Sequence, residues 1–194
     1  QLTIYKNAQR LFPRSYKGFN NAAYVYLKMG DDANAASELE KANQLSPGMP
    51  CVQNNLGVVA AKAKDDENAR KMFEAAKAQG FNANYNLGIL MIRKGEYQNA
   101  INAFAGRTCT HNIALAQLLS GNDNAAMSTL DCAPESAHTA YLKAVIQARR
   151  NNAGQVITNL TKAIQLDPAM KAKAAKDREF IRFFNQADFQ ALVR

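Results

Sequence analysis

Three cysteines and two histidines are the side chains of this 194-residue chain best suited to covalent, redox or metal chemistry. Cys51, Cys109 and Cys132 lack the paired C-x-x-C spacing of a zinc site, which leaves free thiols or a single disulfide. His111 and His138 have no Asp, Glu or Cys at a spacing that recurs in metal or triad chemistry. Gly-rich phosphate loops, nucleophile elbows and paired-carboxylate motifs are also missing. The expectation is no enzyme, no metal and no cofactor in these residues. Recognition is better served than reaction. Asn21, Asn55, Asn86 and Asn112 recur along the chain, and Lys28, Lys62 and Arg93 each stand seven residues after one of the first three.

What places those amides and cations is a period. The segment MGDDANAASELEKANQLSP (29–47) lies over AKDDENARKMFEAAKAQGF (63–81), so that Ala35 matches Ala69, Leu39 matches Phe73 and Ala42 matches Ala76, an offset of 69 − 35 = 34 residues. The dipeptide Leu56-Gly57 recurs as Leu87-Gly88. Small residues at these positions let two helices cross closely, a Phe or Leu fills the space beside them, and a following Pro ends the second helix. The turns KGEYQNA, SGNDNAA and RRNNAGQ are rich in Gly, Asn or Asp, which stop one helix and cap the next. Composition agrees with an ordered helical chain: 47% hydrophobic residues, 10 Gly, 5 Pro and no apolar run long enough to span a bilayer. The N-terminus QLTIYKNAQR shows no secretory h-region, which decides nothing about compartment.

An order of Leu-Gly, Ala, Phe, Ala and Pro at about 34 residues resembles the tetratricopeptide repeat. The resemblance implies an all-α, right-handed α-α superhelix, a solenoid with C-terminal capping helices. Its expected parts are the second helix of a truncated upstream repeat (1–15), repeats over 16–49, 50–80 and 81–106, degenerate repeats over 107–136 and 137–168, and a cap over 169–194. An array that starts in mid-repeat, with Tyr5 and Leu11 unpaired, reads as a cut through a longer solenoid or as a face for another copy of the chain. Phe180, Phe183, Phe184 and Phe189 read as the cap that covers the fifth repeat, with a Phe-rich docking knob as the alternative.

In such arrays the first helices line the concave groove. There the resemblance places Asn21, Asn55, Asn86 and Asn112, similar to the asparagine ladder in the repeat region of protein O-GlcNAc transferases. Each amide would offer a donor and an acceptor to the backbone of an extended peptide. Lys28, Lys62, Arg93 and Arg149 would meet acidic side chains, or would simply complement the helix dipole. Asn20, Tyr24, Asn54, Val58, Tyr85 and Tyr141 complete the lining. The expected partner is therefore a protein or extended peptide, with a homo-oligomer possible. The set of residues that forms the carboxylate clamp of chaperone-binding repeats is not in register. Net charge, 24 − 16 = +8, raises nucleic acid, but the cations are interspersed with Asp and Glu rather than clustered, which disfavours it.

Cys109 falls at the start of the fourth repeat's first helix and Cys132 near the end of its second. Antiparallel helices bring those ends together, so Cys109 and Cys132 are a candidate disulfide with Cys51 free, against the bland reading of three small buried thiols. A bond would favour an oxidising compartment. The style of the repeats resembles exported bacterial proteins of this family, pointing to the periplasm or the outer-membrane periphery, with the cytoplasm as the alternative.

Overall fold

The computed structural model describes residues 1–104, 106 and 109–194. Those residues form α-helices and one 3₁₀ helix, joined by short turns into antiparallel pairs. The expected start of the fourth repeat, Arg107, lies outside the described residues. The chain divides into two compact units, Gln1–Gly95 and Glu96–Arg194.

The first unit holds α1 (Leu2–Leu11), α2 (Tyr16–Met29), α3 (Asp32–Leu45), α4 (Pro50–Lys62), α5 (Asp66–Ala78) and α6 (Asn84–Arg93). Local chemistry sets these boundaries. The Asp31 and Asp65 side chains accept from the backbone N–H of Asn34 and Asn68, capping α3 and α5. Gly30, at φ 78°, ends α2 in the left-handed conformation, and Asp31 N then donates to Tyr26 O. Pro50 opens α4, where a missing N–H costs nothing. The periodic residues form the core: Ala35, Leu39, Ala42, Ala69 and Ala76 are fully buried, and Phe73 nearly so. Gly57 shows why the first helix needs a small residue: a Cβ there would sit 2.6 Å from Phe73 Cε1.

Helix α1 contributes no fully buried residue. It is tied down by polar groups: Lys6 Nζ donates to Glu38 Oε1 at 2.8 Å, and Gln9 Nε2 donates to Glu38 Oε2 and to Gly18 O. Burial opposes the charge on Lys6, but the Glu38 bond and charge, with Tyr26, outweigh it and raise the Lys6 pKa. Ile4 and Leu11 on α1 and Phe12 just after it are more than 60% exposed, leaving an apolar outer face there.

The second unit holds α7 (Tyr97–Ala103), α8 (His111–Leu119), α9 (Asp123–Cys132), α10 (Ala137–Arg149), α11 (Ala153–Leu166), α12 (Ala169–Ala174), the 3₁₀ helix Arg178–Phe183 and α13 (Ala187–Val193). Asn122 and Asn152 cap α9 and α11 as Asp31 and Asp65 cap α3 and α5. Ala126, Leu130, Ala144, Val156, Leu160 and Ala163 fill its core together with Phe180, Phe183 and Phe189. Those three rings are at most 1% exposed, so they cover the last helix pair and are not a docking knob. Cys109 and Cys132 are bonded with Cα atoms 5.4 Å apart, closing the α8–α9 hairpin at its open end, and Cys51 is free.

Candidate functional site

The first helices of unit one, α2, α4 and α6, each bring asparagines to one side, and these side chains bond to one another. Asn86 Nδ2 donates to Asn54 Oδ1 at 2.8 Å, and Asn54 Nδ2 donates to Asn55 Oδ1 at 3.3 Å. Asn55 Nδ2 donates to Asn20 Oδ1 at 2.9 Å, and Asn20 Nδ2 donates to Asn21 Oδ1 at 3.4 Å. Five amides thus form one relay running from α6 to α2. This changes the expected ladder. Asn20, Asn54 and Asn55 are less than 10% exposed, and Asn55 spends its amide on Asn20 of α2 and on Asn54 beside it rather than presenting it to a peptide. Only the relay's ends, Asn21 and Asn86, are half-buried and turned partly outward. Asn112 is half-buried on α8 in the second unit.

The basic row also differs from expectation. Lys62 Nζ lies 2.6 Å from Asp32 Oδ1. Arg93 pairs with Asp66 at 2.8 Å and donates to Ala61 O at 2.7 Å. Arg149 pairs with Asp123 at 3.0 Å and donates to Leu118 O at 3.1 Å. In each case the last turn of one first helix meets the opening residue of the preceding second helix, where helix dipoles favour that arrangement of charge. Lys62 and Arg93 thus tie one repeat to the next through these pairs. The sequence carried a signal for this. Asp32, Asp66 and Asp123 open their helices where the following repeat supplies Lys62, Arg93 and Arg149, whereas Tyr97 opens α7 and the following repeat has Leu119. Lys28 differs, lying over the ring of Tyr24 with Nζ 5.5 Å from its centroid.

Between these side chains lie two adjoining hollows. One, of about 260 Å³, is lined by Tyr24, Leu27, Lys28, Asn54, Asn55, Val58, Lys62 and Asn86. The other, of about 270 Å³, is lined by Val58, Ala61, Lys62, Phe73, Asn86, Ile89, Leu90 and Arg93. Val58, Lys62 and Asn86 border both, so α2, α4 and α6 share one groove with an apolar floor and amide edges. Tyr24 is half exposed at its rim. Tyr85 is half-buried on α6.

In the second unit Tyr141 is 2% exposed and does not line an open groove. Its hydroxyl donates to Asp177 Oδ2 at 2.7 Å, and its ring meets Phe180 edge-on. Burial, then the bond to Asp177 and the nearby carboxylates, pushes the Tyr141 pKa well up. Arg149 is held in its charged form chiefly by Glu179, against the cost of burial. His111 and His138, distant in sequence, stack with ring centroids 5.5 Å apart. Burial, then the His138 charge, lowers the His111 pKa. No group of three or more His, Cys, Asp or Glu converges to hold a metal among the described residues. None of the described helices is long and apolar enough to cross a membrane.

The tetratricopeptide-repeat family profile matches residues 16–48, spanning α2 and α3. No curated protein matches the chain by sequence. The fold as a whole is similar to solved tetratricopeptide-repeat structures. The Cut9–Hcn1 hetero-tetramer of APC/C gives a TM-score of 0.77 at 16% identity, covering 99% of this chain and 38% of that one. PilW, a type IV pilus biogenesis factor, gives 0.68 at 16% identity, covering 98% and 88%. YrrB, described as a TPR protein with an unusual peptide-binding site, gives 0.56 at 19% identity, covering 89% and 99%. This chain thus spans little more than a third of the Cut9–Hcn1 chain it matches. Tetratricopeptide repeats are in general protein–protein interaction modules, and their scaffold is typically non-catalytic.

Proposed function

We propose that this chain is a non-enzymatic interaction module whose ligand is an extended segment of a partner protein lying along α2, α4 and α6. The observation that carries the reading is the pair of adjoining hollows: an apolar floor of Val58, Ile89 and Leu90, with Asn86 and the Lys28–Tyr24 pair at the edges. Such a surface takes up side chains in its hollows and peptide bonds at its amides. The peptide-binding site of YrrB and the protein complex of Cut9 with Hcn1 are consistent with this use of the fold. Because the interior of the amide relay is buried, binding falls to its ends, Asn21 and Asn86, and to the groove floor.

The test is a pull-down of the native partner with groove-blocking variants. Tyr24→Asp and Val58→Glu should abolish retention at unchanged helicity, while Glu74→Ala on the exposed side of α5 should not. Retention unaffected by both blocking variants would move the interface elsewhere. A second reading, self-association, has one observation in its favour: the exposed Ile4 and Leu11 of α1 and Phe12 after it. It predicts a concentration-dependent mass that Ile4→Asp abolishes. The Cys109–Cys132 bond favours an oxidising compartment, and the likeness to a pilus biogenesis factor is consistent with a periplasmic or outer-membrane-associated setting.

A further inference from the structure

Two first helices carry the same pair of side chains at the same spacing: Tyr85 and Arg93 on α6 (93 − 85 = 8) and Tyr141 and Arg149 on α10 (149 − 141 = 8). The two arginines meet the same kinds of partner through different nitrogens. Arg93 bonds Ala61 O through Nη1 and pairs with Asp66 through Nη2, whereas Arg149 meets both Leu118 O and Asp123 through Nη1. Carbonyl and carboxylate are five residues apart in both cases (66 − 61 and 123 − 118).

The outer edge of each guanidinium is where they differ. At Arg149, Nε and Nη2 hold the two oxygens of Glu179 at 3.0 and 2.6 Å, a two-point grip of the strongest kind available to an ion pair. Beside it Tyr141 takes Asp177 on its hydroxyl and Phe180 on its ring. The chain's own run Asp177-Arg178-Glu179-Phe180 thus sits on α10 through two carboxylates and an aromatic ring. At Arg93, Nε has no hydrogen-bond partner among the described residues, and the side chain is 37% exposed. It borders the hollow of about 270 Å³ floored by Val58, Phe73, Ile89 and Leu90. Residues 1–95 carry 13 Lys and Arg against 8 Asp and Glu, a net charge of 13 − 8 = +5 that attracts acidic segments.

We infer that the groove of the first unit is built for an acidic partner segment with a Glu-aromatic pair, its Glu accepting from Arg93 Nε at the edge where Arg149 holds Glu179. The aromatic ring rests on the apolar floor beside it. This deepens the groove reading above, on which it rests, by naming the chemical class of the ligand. The second unit does not compete for such a segment, because its own copy is tethered at an effective concentration of roughly millimolar.

The probe is a labelled peptide containing Asp-Ala-Glu-Phe between Gly-Ser flanks, titrated onto the full chain by fluorescence anisotropy. Saturable binding is expected, weakened about tenfold or more by Glu→Gln in the peptide and by Arg93→Lys in the protein, since an ammonium keeps the charge but has no donor at the Nε position. Circular dichroism melting establishes that Arg93→Lys is folded, and the peptide substitution needs no such control. No saturable binding, or equal binding of the Glu and Gln peptides, or indifference to Arg93→Lys, overturns the inference. Should the peptide fail while Val58→Glu still releases the native partner, the groove stands and its ligand class is wrong. Should Val58→Glu retain the partner, the groove reading itself falls.

Discussion

Replacing Asn55 by Ala takes out an amide bonded on both sides. It removes the donor to Asn20 Oδ1 at 2.9 Å and the acceptor of Asn54 Nδ2 at 3.3 Å. Asn20 and Asn54 are 8% and 9% exposed, so water has little access to the groups left behind. A buried polar group without a partner costs about 1–3 kcal/mol, and with one of the two bonds already long the loss should total about 2–4 kcal/mol. Asn20→Ala should cost less, about 1–2 kcal/mol, because its other neighbour, Asn21, is half-buried and can turn to solvent. The double variant should fall short of the summed losses by about 1 kcal/mol, because the shared bond is removed only once. Urea unfolding followed by circular dichroism gives these differences. As stacked repeats can open in parts, hydrogen exchange of the α4 amides should report the same local loss. Asn55→Ala within about 0.5 kcal/mol of the native chain, or strictly additive singles, would refute a buried relay.

Four further outcomes follow from packing, the disulfide and burial of a histidine. Gly57→Ala should destabilise the first unit by about 1–2 kcal/mol, as overpacking against Phe73 outweighs a helix-propensity gain of up to about 1 kcal/mol. Gly154→Ala, with open space around it on α11, should be neutral or stabilising in the same thermal melts; a reversed order would contradict the close crossing. Reducing Cys109–Cys132, or changing both residues to Ser, should cost about 3 kcal/mol for a loop of 23 residues, read in urea with and without reductant, and identical curves would count against a structural role. His111 has a depressed pKa, so the fold prefers its neutral form. Its stabilising contribution is present above the unfolded value of 6.5 and is lost as pH falls through the lower folded value. His111→Gln should flatten that acid slope, and a slope left unchanged would remove His111 as its cause.

The residues that made the repeat legible are those whose size alone is constrained. Ala35, Leu39, Ala42, Ala69, Phe73 and Ala76 recur because two helices cross at fixed points, and volume at a crossing can be read from residue type. The groove was less legible. That Asn55 bonds Asn20 rather than a ligand depends on where two helices stand relative to each other, and one strand of sequence periodicity carries no such angle. The ion pairs of Lys62 and Arg93 were hidden because their partners, Asp32 and Asp66, lie in the preceding repeat. The matching absence at Tyr97 and Leu119 was the clue, visible only when opening and closing residues of successive repeats are compared. Tyr141 was placed in the groove by its repeat position, but it is buried. What hides it is Phe180 and Asp177, brought there by a 3₁₀ helix with no repeat signature.

The claim that the concave side of α2, α4 and α6 is the binding surface is tested most directly by position-specific photo-crosslinking in the native source. A photoreactive residue at Tyr24, exposed at the rim of the groove, should give a discrete adduct with one partner, and the adduct should disappear when Val58 is changed to Glu. The same group at Glu74, on the exposed side of α5, should give none. Adducts from Glu74 or Ile4 with none from Tyr24 would contradict the account.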